Sequence, residues 1–228
     1  MKYKYDLHCH TAEGSGCSKL AAADMVRRYL ELGYTGIVIT DHFTGKTTVP
    51  ENATWPERIE RFYDGYNAAK AEGDKLGLDV FFGLEYSDKG NDFVFLNIGA
   101  DWLLQNPDMR EIGLVPLLKR VREAGGFITH AHPFAIQRWI PVIQLVPQWV
   151  DAIEVINGGE SDANNARALW FFEQYEKEYN LRKVASTDTH EHDAKFTGIT
   201  LNKRVKTLNG LIEEIKAGRT EIIPKINK

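Results

Sequence analysis

The sequence predicts an α/β protein whose parallel strands close into a barrel. Three observations carry that expectation. Short apolar, often β-branched segments alternate with segments of helical spacing, the pattern of parallel strands joined by right-handed crossovers. No glycine-rich phosphate-binding turn follows the first strand, which counts against the open, doubly wound alternative. The 228 residues show no internal repeat, low-complexity tract or linker, so one domain is expected over residues 1–228.

The expected strands are Lys4–His8, Gly36–Thr40, Val80–Glu85, Phe93–Gly99, Phe127–Thr129, Ala152–Ile156 and Lys183–Ser186. All are short and apolar, as buried parallel strands are. The helices between them have readable ends. Over Lys19–Leu32, the residues Ala22, Met25, Val26, Tyr29 and Leu30 recur at the spacing of one helix face, and Gly33 stops the run. Pro56–Leu76 has a proline at its start and Gly77 after its end. Leu114–Ala124 runs into Gly125-Gly126, Asp162–Tyr179 into Asn180, and Leu208–Ala217 into Gly218, all suited to a left-handed C-cap. Phe43–Trp55 reads as a long loop, and Trp170, Phe171, Phe172 and Tyr175 read as helix packing.

Composition narrows the function. A net charge of −4 offers no basic footprint for duplex nucleic acid. It leaves room for a small anionic substrate, because local field outweighs net charge. No stretch approaches the roughly 20 apolar residues of a bilayer span. The N-terminal MKYKYDLHCH has no apolar signal core. Cys9 and Cys17 do not make a disulfide framework, so a cytoplasmic protein with reduced thiols is expected.

The seven histidines carry the chemical signal. All fall at the ends of expected strands or in the turns after them: His8 and His10, His42, His130 and His132, His190 and His192. Glu85, Asn157 and Asp188 occupy equivalent places. In a parallel barrel the C-terminal strand ends share one face, so these residues can meet in one pocket. In an extended segment residues i and i+2 face the same way. That pairs His8 with His10, His130 with His132, and Asp188 with His190. Imidazole and carboxylate donors without thiolate suit Zn, Mn or Fe. There are more of them than the four a tetrahedral zinc takes, so two to three divalent metal ions are expected, with Glu85 as the natural bridge. Singly, each histidine fits a hydrogen-bonded strand end; together they read as ligands. His192 reads as solvated loop, Asp41 as support for a ligand or a loop, Cys9 as apolar packing and Cys17 as part of a loop leading into a helix, with reach into the pocket as the alternative.

The segments "DLHCHT", "TDH" (Thr40–His42), "GLE" (Gly83–Glu85), "HAHP" (His130–Pro133), "IEVIN" (Ile153–Asn157) and "STDTH" (Ser186–His190) resemble, in order, the motifs of the polymerase-and-histidinol-phosphatase (PHP) superfamily. The resemblance implies a distorted (β/α)7 barrel, up to three metal ions and phosphoesterase activity. It implies His8, His10, Glu85 and Asp188 for a first ion, Glu85 and His132 for a second, and His42 and His190 for a third. Three positions depart from the family pattern. Ser15 stands where the family often has Asp or His, so the nearby Glu13 is expected to substitute. The fourth strand lacks the histidine many members carry, so His130 is expected to compensate. Asn157 falls where members vary between His, Cys and Asn, and is read as a weaker ligand.

The expected activity is hydrolysis of a small phosphorylated substrate, including a nucleotide or oligonucleotide end. Glu85, Asp188 and His190 are its catalytic residues, and Arg138 meets the phosphate. His190, His192 or His130 would protonate the leaving group. An amidohydrolase-like C–N hydrolase is the alternative, but it normally has a carboxylated lysine on strand four, where this chain has none. A non-catalytic metal-binding module would lack ligands that are present here. The run "AIQRWIPVIQLV" within Ala135–Val146 is apolar for a loop and suits a pocket cap or a subunit contact.

Overall fold

Over residues 2–226, the computed structural model forms nine strands and seven α-helices. In chain order they are β1 (Tyr3–Cys9), α1 (Ala22–Glu31), β2 (Gly36–Ile39), α2 (Trp55–Phe62), α3 (Asp64–Leu76), β3 (Asp79–Asp88), β4 (Asn91–Leu96), α4 (Ala100–Gln105), α5 (Leu114–Glu123), β5 (Phe127–Ala131), β6 (Ala152–Asn157), α6 (Asp162–Tyr179), β7 (Arg182–Ser186), β8 (Phe196–Leu201), α7 (Leu208–Lys216) and β9 (Glu221–Ile226). The strands make one sheet in the order β7-β6-β5-β4-β3-β2-β1-β8-β9.

The sheet nearly closes on itself. Just past β7, the Asp188 N–H donates to His8 O at 2.9 Å and the His10 N–H donates to Thr189 O at 3.0 Å. The buried Asp6 carboxylate seals that seam, accepting from the Thr187 N–H (3.0 Å) and the Tyr29 hydroxyl (2.7 Å). Leu7, Val38, Phe81, Val94, Phe127, Ala152, Val184 and Ile199, one from each of β1 to β8, share a cluster with Leu211 and Ile215 of α7. The barrel is therefore a packed core rather than a pore, as such barrels are.

The strand count and directions correct the expectation of seven parallel strands. β4 runs antiparallel to both β3 and β5, and β8 and β9 add an antiparallel pair beside β1. The reason lies between the third and fourth expected strands, which are separated by residues 86–92 alone. A parallel crossover needs about a dozen residues, whereas a hairpin needs two. Lys89 (φ 52°) and Gly90 (φ 80°) supply that turn with both central residues left-handed. The expected helix Pro56–Leu76 divides at Tyr63 into α2 and α3, and α2 opens with a Thr54/Glu57 capping box. Phe171 and Phe172 pack as expected, but Trp170 is exposed. Among the described residues, no helix is long and apolar enough to cross a membrane.

Candidate metal centre

The barrel mouth gathers the C-terminal ends of β1, β2 and β3, the turns after β5 and β7, and the first residues of the antiparallel β4. Glu85, at the end of a buried strand run, is at its middle. Its Oε1 lies 3.2 Å from His8 Nε2 and 3.4 Å from His132 Nε2; its Oε2 lies 3.3 Å from His10 Nε2 and 2.6 Å from His42 Nδ1. Asp188 faces it, with Oδ1 3.1 Å from His10 Nε2 and 3.4 Å from His190 Nδ1, and Oδ2 3.7 Å from His132 Nε2. Three sets of donors converge closely enough to hold an ion each: His8, His10 and Asp188; His8, Glu85 and His132; His10, His42 and His190.

These groups fit divalent cations on an observation independent of any motif. Both oxygens of Glu85, Oδ1 of Asp188 and Nδ1 of His42 are buried without a hydrogen-bond partner, even where the contact distances are short. His8 Nε2 and His10 Nε2 face each other at 3.0 Å. Buried polar atoms are costly to leave unsatisfied, and cations bound among them would satisfy these atoms together. Burial alone would raise the Glu85 and Asp188 carboxyls, but the surrounding imidazoles hold both well below the usual carboxylate range. Burial and the neighbouring His42 take His10 down to about 3, leaving it neutral and able to ligate.

The surrounding hydrogen bonds aim the imidazoles. Ser15 Oγ donates its one proton to Asp41 Oδ1 (2.7 Å) and accepts from the His42 N–H (3.0 Å). His10 Nδ1, 3.0 Å from the same Oγ, must then be the donor, which leaves the lone pair on Nε2. Glu154 Oε1 lies 3.3 Å from His8 Nδ1 and does the same for that ring, while its Oε2 accepts from the His132 N–H (2.8 Å) and the Asn157 amide (2.9 Å). The His190 Nδ1–H donates to Asp188 O at 2.9 Å. Asp41 points away from His42, as its position in an extended segment implies, and accepts from the Thr11 N–H and hydroxyl, both at 2.7 Å.

Four expected site residues are placed elsewhere. The Glu13 carboxylate accepts the Ala22 N–H at the start of α1 (3.0 Å), where unpaired backbone donors attract acidic groups. His130 lies inside β5, stacked on Phe93 with ring centroids 4.6 Å apart, and joins no donor set. The i, i+2 pairing fails there because β5 ends at Ala131 and His132 takes φ 26°, a sterically costly conformation for a side-chain-bearing residue and one that recurs at functional sites. Asn157 spends its amide nitrogen on Glu154 and Asp188 and its oxygen on the Gly159 N–H (2.8 Å), so it positions Asp188. Arg138 is exposed and does not line the cavity. His192 is exposed, as expected.

The cavity, of ≈ 270 Å³, is also lined by Lys46, Ser87, Asp92, Gln137 and Trp139. The Lys46 ammonium lies 5.1 Å from the Trp139 ring centre. Asp92, near the start of β4, puts Oδ2 3.8 Å from His132 Nε2. Recognising the hairpin would have revealed Asp92, because reversing β4 brings its first residues, not its last, to the mouth. Lys46 and Glu154 carried no comparable sequence signal. Cys17 turns into the site, with Sγ 3.1 Å from His190 Nε2. Burial would raise this thiol, but hydrogen bonds with His190 and His42 outweigh it and take it down to about 6.

No protein-family model matches the chain, and no curated protein matches it significantly. Solved structures do share its fold. A two-domain protein from Bacteroides vulgatus containing a predicted PHP-like metal-dependent phosphoesterase superposes with a TM-score of 0.72 at 16% identity, over 99% of this chain; the chain spans 65% of that protein's length. A candidate metal-dependent phosphoesterase from Bifidobacterium adolescentis gives 0.57 at 15% identity, covering 95% of this chain and 96% of its own. An amidohydrolase from Chromobacterium violaceum, with bound sulfate and no metal, gives 0.55 at 14% identity, covering 96% and 97%. The fold of this chain is thus one shared by a protein containing a predicted PHP-like metal-dependent phosphoesterase, by a candidate metal-dependent phosphoesterase and by an amidohydrolase.

Proposed function

We propose that the chain is a metal-dependent phosphoesterase, acting as one hydrolase domain on a small or terminal phosphate ester. The observation that carries this reading is the convergence of Glu85 and Asp188 on five imidazoles, with both Glu85 oxygens and Asp188 Oδ1 buried and without a hydrogen-bond partner. Divalent ions held by the three donor sets would supply Lewis acidity, lowering the pKa of water and neutralising phosphoryl charge. The chain's own residues prepare the site for that chemistry. Ser15, Glu154 and the Asp188 carbonyl fix His10, His8 and His190 through their Nδ1 atoms. Glu85 spans two donor groups at once, so it sets their separation. Lys46, on the cavity wall, offers the phosphate a positive charge.

Of the histidines expected to serve the leaving group, His192 and His130 are outside the cavity. His190 lines it, but as a member of a donor set. The cavity volume favours a compact ester or a chain end over an internal duplex linkage. β4 contains no lysine, which supports phosphoester over C–N hydrolysis.

Metal analysis of the purified protein, followed by a panel of phosphoesters, tests the proposal. Hydrolysis abolished by chelator and restored by Mn, Zn or Fe is expected. Less than about one transition metal per chain, below the smallest catalytic site, with no hydrolysis after reconstitution, would overturn it.

A further inference from the structure

We propose that Cys17 is a thiolate ligand of the ion held by His42 and His190, making that end of the centre a mixed nitrogen–sulfur site. The proposal rests on the metal-centre reading above and adds a ligand that the motifs do not mark.

The approach of Cys17 to His190 is built into the backbone on both sides. The Gly16 N–H donates to Lys46 O (2.7 Å), the Ser18 hydroxyl donates to His10 O (2.9 Å), and the Lys19 N–H donates to His190 O (2.9 Å). Cys17 lies between these anchors, and its Sγ is 3.1 Å from the one His190 nitrogen not engaged by Asp188 O. Local chemistry leaves that place to it. The donor set there is three imidazoles, His10, His42 and His190, beside oxygens of Glu85 and Asp188 that also face the other two sets. Glu13 is engaged at α1, Asp41 by Thr11 and Ser15, and Ser15 Oγ has all its hydrogen-bonding capacity in use. Independently of the cysteine, His42 Nδ1 and the fully buried Glu85 Oε2 lie 2.6 Å apart without forming a hydrogen bond, which marks this end as a cation site. On binding, the S–H bond is given up as the sulfur–metal bond forms, and the proton leaves to solvent. A thiolate among imidazoles shifts preference from Mn toward Zn, Fe or Co.

Cobalt titration of the metal-free chain reads the sulfur directly. Wild type should develop the intense near-ultraviolet thiolate-to-cobalt charge-transfer band. Cys17→Ser should keep only the weak visible bands of nitrogen and oxygen ligation, and should bind its last ion at least about tenfold more weakly. In wild type, zinc should also block alkylation of Cys17 by iodoacetamide, read by peptide mass spectrometry, which decides the matter should the variant not fold. Visible cobalt bands without the charge-transfer band, or Cys17 alkylated at full zinc occupancy, would overturn this ligand and leave the metal centre standing. Failure of wild type to bind cobalt or zinc at all would overturn both.

Discussion

The hydroxyl of Ser15 sits 3.0 Å from Nδ1 of His10. Its proton goes to Asp41, so His10 must present Nε2 to the carboxylates of Glu85 and Asp188. Ser15→Ala frees the ring to rotate and to change tautomer while leaving every donor in place. We expect metal affinity to fall about tenfold to a hundredfold, the usual cost of losing a group that orients a ligand. Competition against a chromogenic chelator measures it, and unchanged affinity would show that the serine does not aim the ring.

Lys46, rather than Arg138, should meet the substrate. Lys46 lines the cavity beside Trp139, and Arg138 is exposed outside it. A hydrogen bond to a charged group contributes about 1.5–3 kcal/mol, so Lys46→Ala should lower kcat/KM for a phosphoester about tenfold to a hundredfold. Arg138→Ala should leave it within about twofold, as surface substitutions generally do. The reverse ranking in steady-state kinetics would restore the arginine.

The two cysteines should differ in reactivity with pH. In the metal-free protein the Cys17 thiol titrates near pH 6, because hydrogen bonds with His190 and His42 outweigh its burial. Thiolate is the reactive form, so the alkylation rate should climb through pH 6 and level off by about pH 7, whereas an ordinary cysteine is only half ionised at about pH 8.5 and keeps gaining beyond it. Burial pushes Cys9 well above its ordinary range, and it should stay unmodified until the protein unfolds. Site-resolved alkylation from pH 5 to pH 9 gives both curves.

The convergence of His8, His10, His42, Glu85, His132, Asp188 and His190 was legible because barrel topology alone sends strand ends to one mouth. What escaped reading was whatever depends on local backbone reversal or on a competing partner. His130 and His132 have the spacing of neighbours on one face, but that rule holds only while the strand continues, and it ends at Ala131. Glu13 has the chemistry of a ligand, yet both its oxygens accept from the Ala22 N–H at the start of α1. Cys17 lies in a loop whose path is set by hydrogen bonds to Lys46, His10 and His190, residues far from it in sequence. Asp92 was hidden by the assumed direction of β4.

Metal binding should also register as stability. Ions that bind only the folded chain stabilise it by about 2.7 kcal/mol at a hundredfold excess over Kd. Chemical denaturation with and without zinc should show a difference of this size in wild type. Glu85→Gln replaces one of the two anionic oxygens with an amide that cannot ligate through nitrogen, so most of the difference should vanish. A variant that keeps the full zinc effect would remove Glu85 from the centre.

Gly65, with no donor atom to offer, should also bear on metal binding. Gly65 lies in the first turn of α3, where helix propensity alone would make alanine better by about 1 kcal/mol. The structure predicts the opposite. A Cβ at Gly65 would overlap Thr11 Oγ1 and Asp41 Oδ2, two atoms hydrogen-bonded to each other in the network that holds Ser15 and, through it, His10. Relief requires α3 to move away or Asp41 to turn, and overpacking of this kind costs about 1–3 kcal/mol. Because Asp41 holds Ser15 rather than an ion, Gly65→Ala should also weaken zinc binding, although it touches none of the donors. A fall in stability with zinc affinity unchanged would mean that α3 gives way and the network does not. A fall in both, with far-ultraviolet circular dichroism unaltered, is the expected result, since it requires strain at the helix start to reach His10 through Asp41 and Ser15.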